Sequence, residues 1–599
     1  MGVPRFGWVR KFGRADLRRM AKEGLDEGLI VAGKTRGLRA EHLLSFRMER
    51  SEGELMGQEA KHRAEYSAAL QKCFRGTQDM YFRDGELAGL PEAYINTFAS
   101  KLGKGAVWRR GKYKVEIGVK TMSNVLHYCE KRETRSRVFE AYYSQFSKFG
   151  VHDAALQLLR TRRELAQSLG YASWAEYELR SLTVSEPKEA HALLERCWRE
   201  TRARLQPVLQ KMDDLAASRS PDLAALAAKT PAGESTGRLR NVDIVDEAFL
   251  SARVRGKQEA FKLAQYFPAE SVVDGIADVV GQAFNVRFRR VARNAHLEAG
   301  WRPSVRAYDL QDASGQRLGF VYVELSRPWS LRPAPMDRAG AAVVCPGHVF
   351  VNLQFSSASW GHTKLLAVEE VRVLAHELGH AVHMLCHGAC TADFDDWPMD
   401  VKELPSILAE TVALHPSVVS QYARHHASKG PPSDDLLRRC ELVRPITGYL
   451  QDTHVALGLH GEGFNPHIST GEDLREAAVE LWQSLSPVKA HPAFTPLGGT
   501  AGLYLGEGPS QLGYLLCFLR ADTILHSRRG AAPRPQEEAK RWLSPAFAGM
   551  VRAQLLDRAF PGERLAKLRP GGAAVPHPLP PPLLDSAGML ERLFRLRAP

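Results

Sequence analysis

Residues 371–388 read VRVLAHELGHAVHMLCHG. Val371, Leu374, Leu378 and Val382 recur at helical spacing and make one apolar face, so the stretch reads as a buried helix. Gly388 follows as a C-cap residue that ends it. Within it stands His376-Glu377-Leu378-Gly379-His380, an H-E-x-x-H motif. On a helix the two histidines sit one turn apart and project from one face, so both imidazoles reach a single ion. Glu377 lies beside them, placed to hold a water molecule. This helix predicts a mainly helical body built around a metal site.

A catalytic zinc site needs a third protein ligand and one open position. Glu403 supplies a candidate, with 22 residues between it and His380. It sits in MDVKELPSILAETVAL, residues 399–414, itself a helical pattern. Glu410 is seven residues beyond Glu403 and falls on the same helical face, and Asp400 flanks the pair. A carboxylate near the ligands can orient an imidazole by accepting its second N–H. The competing reading of Glu403 and Glu410 is a solvated helix face. His383 and His387 continue the histidine row; they either line a substrate cleft or are ordinary polar residues of its wall. Zinc held by two histidines and a glutamate acidifies a bound water toward a pKa of about 7 and polarises a carbonyl. Glu377 would take the water proton and pass it to a leaving amine. A developing oxyanion then needs a further donor such as Tyr or His. This set of groups describes amide hydrolysis.

Working outward, the 599 residues would make about four domains at roughly 150 residues each, but one large helical body absorbs the same length. The composition, 44% hydrophobic and 25% charged, excludes a disordered or multi-span membrane chain. No apolar run of about 18 residues is present, so no transmembrane helix is expected. The net charge of +13 suggests a polyanion partner until it is located. Residues 1–50 carry a net +6 and residues 526–599 a net +7, while residues 51–525 hold 56 basic and 56 acidic side chains. The neutral middle argues against nucleic-acid binding. Eight cysteines without a CxxC pair read as reduced thiols in an intracellular compartment. Residues 1–22 contain seven basic side chains against Asp16 alone, a composition compatible with a mitochondrial transit peptide. A basic, fraying terminus is the alternative.

Helical periodicity dominates elsewhere. Ala190, Leu193, Leu194, Cys197 and Trp198 form one apolar stripe, and residues 122–148 and 153–168 read as helices. Residues 218–241 read as a loop. A small β element is expected at Arg317–Leu325 and at Val349–Phe355, the first entered through a hairpin turn at Asp312–Gln316. Residues 570–585, PGGAAVPHPLPPPLLD, are proline-rich and linker-like.

In combination these stretches resemble the thimet oligopeptidase and mitochondrial intermediate peptidase family of zinc metallopeptidases. EEVRVLAHELGHAVHMLCH is similar to the family's ligand helix, and DVKELPSILAE to its third-ligand helix. LAGLPEAY, ETRSRVFEAYYSQF, LLRTRRELAQSLGYASWAEYEL and AQYFPAESVVDG look like further landmarks. PSILAETVALHPSVVSQYARHHASKG is more similar to the mitochondrial intermediate peptidase branch. The resemblance covers about residues 40–525 and implies a large helical zincin-type body split by a deep channel. It also implies one Zn2+ on His376, His380 and Glu403, with Glu377 catalytic and Asp400 and Glu410 in support. Peptides are the implied substrates, and the branch implies trimming of precursor N-termini in the mitochondrial matrix by a monomer. The expected organisation is a basic segment 1–40, a peptidase body 41–545 and a basic tail 546–599. A cytoplasmic general oligopeptidase is the alternative. The sequence departs from the family in FTPLGGTAGLYLGEGPSQLGYLL, residues 494–516. Pro496 stands where a histidine is expected and Gln511 where a tyrosine is, while Tyr514 matches and Tyr504 could substitute. A proline side chain donates no hydrogen bond, so a catalytically weakened, zinc-containing peptide-binding protein is a further alternative.

Overall fold

The computed structural model describes residues 41–525 and 542–544, except 76–77, 84, 93–94, 96–111, 220–238, 240–241, 256–259, 292–304, 325–339, 346, 354–358, 361–362, 388–396, 441, 443–445, 465–466 and 499–504. The expected transit segment and the basic tail lie outside the described residues, as do Gly388 and Tyr504. The chain divides into a unit Met1–Lys61 and a unit His62–Pro599. The first is described only as the start of a helix, Glu41–Arg75; everything below concerns the second.

That unit is mostly helical. The stripe read at Ala190–Trp198 is buried along a helix Pro187–Arg219. The stretch read as one helix over 122–148 is two, Val119–Tyr128 and Arg132–Lys148. No glycine or proline marks the break. Two bonds hold it: the Glu130 N–H donates to the distant Ala88 carbonyl at 2.8 Å, and Arg135 Nη1 of the second helix donates back to the Cys129 carbonyl at 2.7 Å. One long-range and one local bond satisfy the backbone that a continuous helix would otherwise have used.

The β element is larger than expected. Strands β1 (Gln78–Arg83) and β2 (Lys112–Ile117) pair antiparallel. The main sheet has five strands in the order β3-β4-β5-β7-β6. These are β3 Val286–Arg290, β4 Val305–Asp312, β5 Arg317–Glu324, β6 Gly340–Cys345 and β7 His348–Asn352. β4 and β5 form the expected hairpin, where Asp312 Oδ1 accepts from the backbone N–H groups of Ser314 and Gln316. β5 and β7 run parallel, which needs a long connection between them. Val321, Val323, Val349 and Val351 alternate on the inner face and are fully buried.

On that face lies the motif helix, Val368–His387. Val371, Leu374, Leu378 and Val382 are all 0% exposed and belong to the main core with the sheet valines. Burying four such side chains contributes roughly 1.5–3 kcal/mol each before entropy is charged against it. A Cβ on Gly319 of β5 would meet the Gly347 carbonyl oxygen at 2.4 Å and a Leu385 methyl at 2.6 Å. The missing side chain lets the motif helix lie close on the sheet. Among the described residues six cysteines are free thiols, and no helix is long and apolar enough to cross a membrane.

Candidate metal centre

The helical pattern at 399–414 is broken at its key residue. Met399–Lys402 is one short helix, Leu404–Ala413 a second, and Glu403 is the joint between them. Pro405 is the cause. It has no N–H for the Val401 carbonyl and is at home in the first turn of the new helix. Glu403 and Glu410 still face the motif helix, but neither is solvated: they are 5% and 2% exposed.

Three donor atoms converge. His376 Nε2 lies 3.2 Å from His380 Nε2 and 3.2 Å from Glu403 Oε2; His380 Nε2 lies 3.1 Å from the same oxygen. Among the described residues this is the group of His, Cys, Asp and Glu side chains that could hold a metal ion. Zinc bound tetrahedrally through bonds of about 2.0–2.2 Å spaces its ligand atoms about 3.3–3.6 Å apart. A triangle with edges of 3.1–3.2 Å is slightly tighter than that spacing, so the three donors need open by only a few tenths of an ångström to take the ion, with the fourth position left for substrate or water. Ser406 Oγ donates to Glu403 Oε2 at 3.0 Å and fixes the carboxylate. Glu410 Oε2 stands 3.4 Å from His376 Nδ1, on the ring edge away from the triangle, as an orienting carboxylate should.

The electrostatics agree with a cation site. Burial opposes charging of His376, yet Glu403 and Glu410 together raise its pKa to about 10. Burial also disfavours the Glu403 carboxylate, but the charge of His380 and hydrogen bonds from both imidazoles hold it well below the usual range. A proton and a metal ion compete for the same atoms. Glu377, 8% exposed, follows His376 on the motif helix and is not one of the three converging donors.

Asp400 and His383 take these places. Asp400 has its carboxylate engaged by groups other than the metal-site imidazoles. It is fully buried, and its carboxylate pairs with Arg520 at 3.1 Å and accepts from Thr183. A short helix ending at Glu403 turns Asp400 toward the helix Leu512–Leu525 instead. His383 is 1% exposed, with its ring 4.8 Å from Trp397, so it belongs to the packed wall. Tyr514 sits in the first turn of Leu512–Leu525 with its ring 6.0 Å from that of Tyr449. Pro496 is buried and faces Asp452, Val455 and Leu505. Gln511 is 1% exposed, and neither polar atom of its side chain has a hydrogen-bond partner among the described residues. Reading the sequence did not single out Arg520 or Thr183. Neither carries a motif, and they are 337 residues apart.

Residues 125–450, more than half of the chain, match Peptidase family M3. The chain belongs to that family. It is 25% identical over 456 residues to Oligopeptidase A of Salmonella typhimurium, covering 71% of this chain and 62% of that protein. It is 24% identical over 496 residues to Mitochondrial intermediate peptidase 1 of Cryptococcus neoformans, covering 72% of this chain and 60% of that one. The organellar oligopeptidase A of Arabidopsis thaliana is 26% identical over 366 residues, 57% of this chain and 44% of its own length. The chain thus spans about half the length of the curated relatives it matches. The crystal structure of oligoendopeptidase-F from Enterococcus faecium is similar over 97% of this chain and 78% of that one, at 12% identity and a TM-score of 0.41.

Proposed function

We propose that this chain is a zinc-dependent metallo-oligopeptidase, with His376, His380 and Glu403 as the metal ligands and Glu377 as the general base and acid. The observation that carries the reading is the triangle of donor atoms with 3.1–3.2 Å edges on the H-E-x-x-H helix. Zinc, when bound, supplies a Lewis acid for the scissile carbonyl and for a water. The rest is the work of side chains. Glu377 takes the proton of the attacking water and returns it to the leaving amine. Glu410 holds the His376 ring, and Ser406 holds Glu403. Tyr514 is the described residue best placed by likeness to meet substrate, while Pro496 offers it no donor. One lost oxyanion donor lowers kcat about 10²–10³-fold, so the enzyme is expected to be slow. Purified, zinc-loaded protein should cleave a quenched fluorescent peptide library, lose that activity to a chelator and regain it with zinc. Cleavage indifferent to the chelator would refute the reading.

The narrower reading is mitochondrial, with precursor N-termini as substrates. The acid-poor residues 1–22 and the likeness to mitochondrial intermediate peptidases support it; the likeness to Oligopeptidase A supports a cytoplasmic oligopeptidase equally. Residues 1–40 fused to a fluorescent reporter should enter mitochondria. A diffuse cytosolic signal would leave the general oligopeptidase as the reading.

A further inference from the structure

Asp400 lies three residues before Glu403, is 0% exposed, and spends its carboxylate on groups remote in sequence. Its Oδ2 accepts from the Thr183 N–H at 3.1 Å, from the Thr183 hydroxyl and from Arg520 Nη1 at 3.1 Å. Arg520 Nη1 also donates to the Asp400 carbonyl at 3.1 Å, and Nη2 donates to Thr183 Oγ1 at 2.5 Å. The Cys517 thiol adds a contact to the same carbonyl at 3.4 Å. One guanidinium therefore grips both the side chain and the main chain of Asp400. Below it the helices are in direct contact: a Cβ on Gly513 would meet the Met399 side chain at 2.7 Å and the Asp400 nitrogen at 2.9 Å.

The segment gripped in this way is the four-residue helix Met399–Lys402. So short a helix has no stability of its own, and its direction is set by what it packs against. Glu403 is its C-cap, with its N–H bonded to the Met399 carbonyl at 3.0 Å. A rotation of this helix swings Glu403 out of the triangle.

We infer that Asp400, Arg520 and Thr183 form a brace that positions Glu403, so that the helix carrying Tyr514 sets how tightly the triangle holds its metal ion. These are positioning residues, acting through Glu403. The inference rests on the zinc reading above. A buried ion pair that served stability alone would leave metal affinity untouched when weakened without unfolding.

The test uses the full chain, with zinc affinity from competition against a chromogenic chelator and thermal unfolding of the metal-free form in parallel. Thr183→Val removes the hydroxyl at nearly constant volume, and Arg520→Lys keeps the charge but loses the two-nitrogen grip. Both should weaken zinc binding about 10–100-fold, the range for lost supporting contacts around a metal. Thr183→Ser restores the hydroxyl and should bind within about threefold of the natural chain. Glu403→Gln should lose zinc almost entirely. Wild-type zinc affinity in Thr183→Val and Arg520→Lys, with Glu403→Gln defective, would overturn the brace and leave the zinc site standing. Wild-type affinity in Glu403→Gln would overturn the zinc reading and the brace with it. Should Arg520→Lys fail to fold, the Thr183 pair decides alone.

Discussion

Glu377→Gln should lower peptide cleavage by about 10²–10⁴-fold, the contribution of a positioned general acid–base, while zinc content stays at one ion per chain. The substitution is isosteric and leaves the three converging donors untouched. It removes only the capacity to accept a proton. Glu377 is 8% exposed, so a neutral amide in its place costs little desolvation and the fold should be unaffected. Single-turnover cleavage at saturating substrate, with zinc measured on the same sample, separates the outcomes. Retention of more than about a tenth of the rate would mean that another group takes the proton. Loss of zinc together with activity would mean that Glu377 helps to hold the site.

The second large effect is predicted for Gly379, the smallest member of the motif. A Cβ there would lie 2.7 Å from Ser406 Cα and 2.9 Å from the Pro405 carbonyl oxygen. Two expectations oppose each other. Helix propensity favours Gly379→Ala by about 1 kcal/mol. Overpacking costs about 1–3 kcal/mol, and here the overlapped atoms are backbone, which cannot rotate away. The steric term should win. Its direction matters as much as its size, because it pushes the motif helix away from Leu404–Ala413, whose first residues follow Glu403. Gly379→Ala should lower the unfolding temperature and weaken zinc binding at least about tenfold; Gly379→Val should do both more severely. An alanine variant that melts at or above the natural chain, with unchanged zinc affinity, would show that the two helices can separate without opening the site.

The two predictions probe different layers. His376, Glu377 and His380 share one helix, so their relation follows from helical geometry alone. Their distance to Glu403 depends on how closely a second helix packs, and Gly379 sets that distance. Glu410 belongs with the first class, since seven residues along the helix that Glu403 caps return it to the same face. Asp400 belongs with the second. Its neighbours in sequence suggest a supporting role at the imidazoles, but a four-residue helix has no direction until Arg520 supplies one.

The same division runs through the fold. The chain's own sequence determined the motif helix, its buried face, the β4–β5 hairpin and the identity of the three metal-site candidates. The helix, its face and the hairpin each rest on residues close together in the chain, where periodicity and turn chemistry act, and Glu403 was legible because it stands in a second helical pattern 23 residues beyond His380. Tertiary structure alone decided the break at Cys129–Lys131, the parallel pairing of β5 with β7, the burial of His383 and the brace on Asp400. In the break, the β5–β7 pairing and the brace a backbone or carboxylate group is satisfied by partners dozens to hundreds of residues away, and His383 is buried by packing against Trp397. A local pattern carries no record of which distant donor arrives.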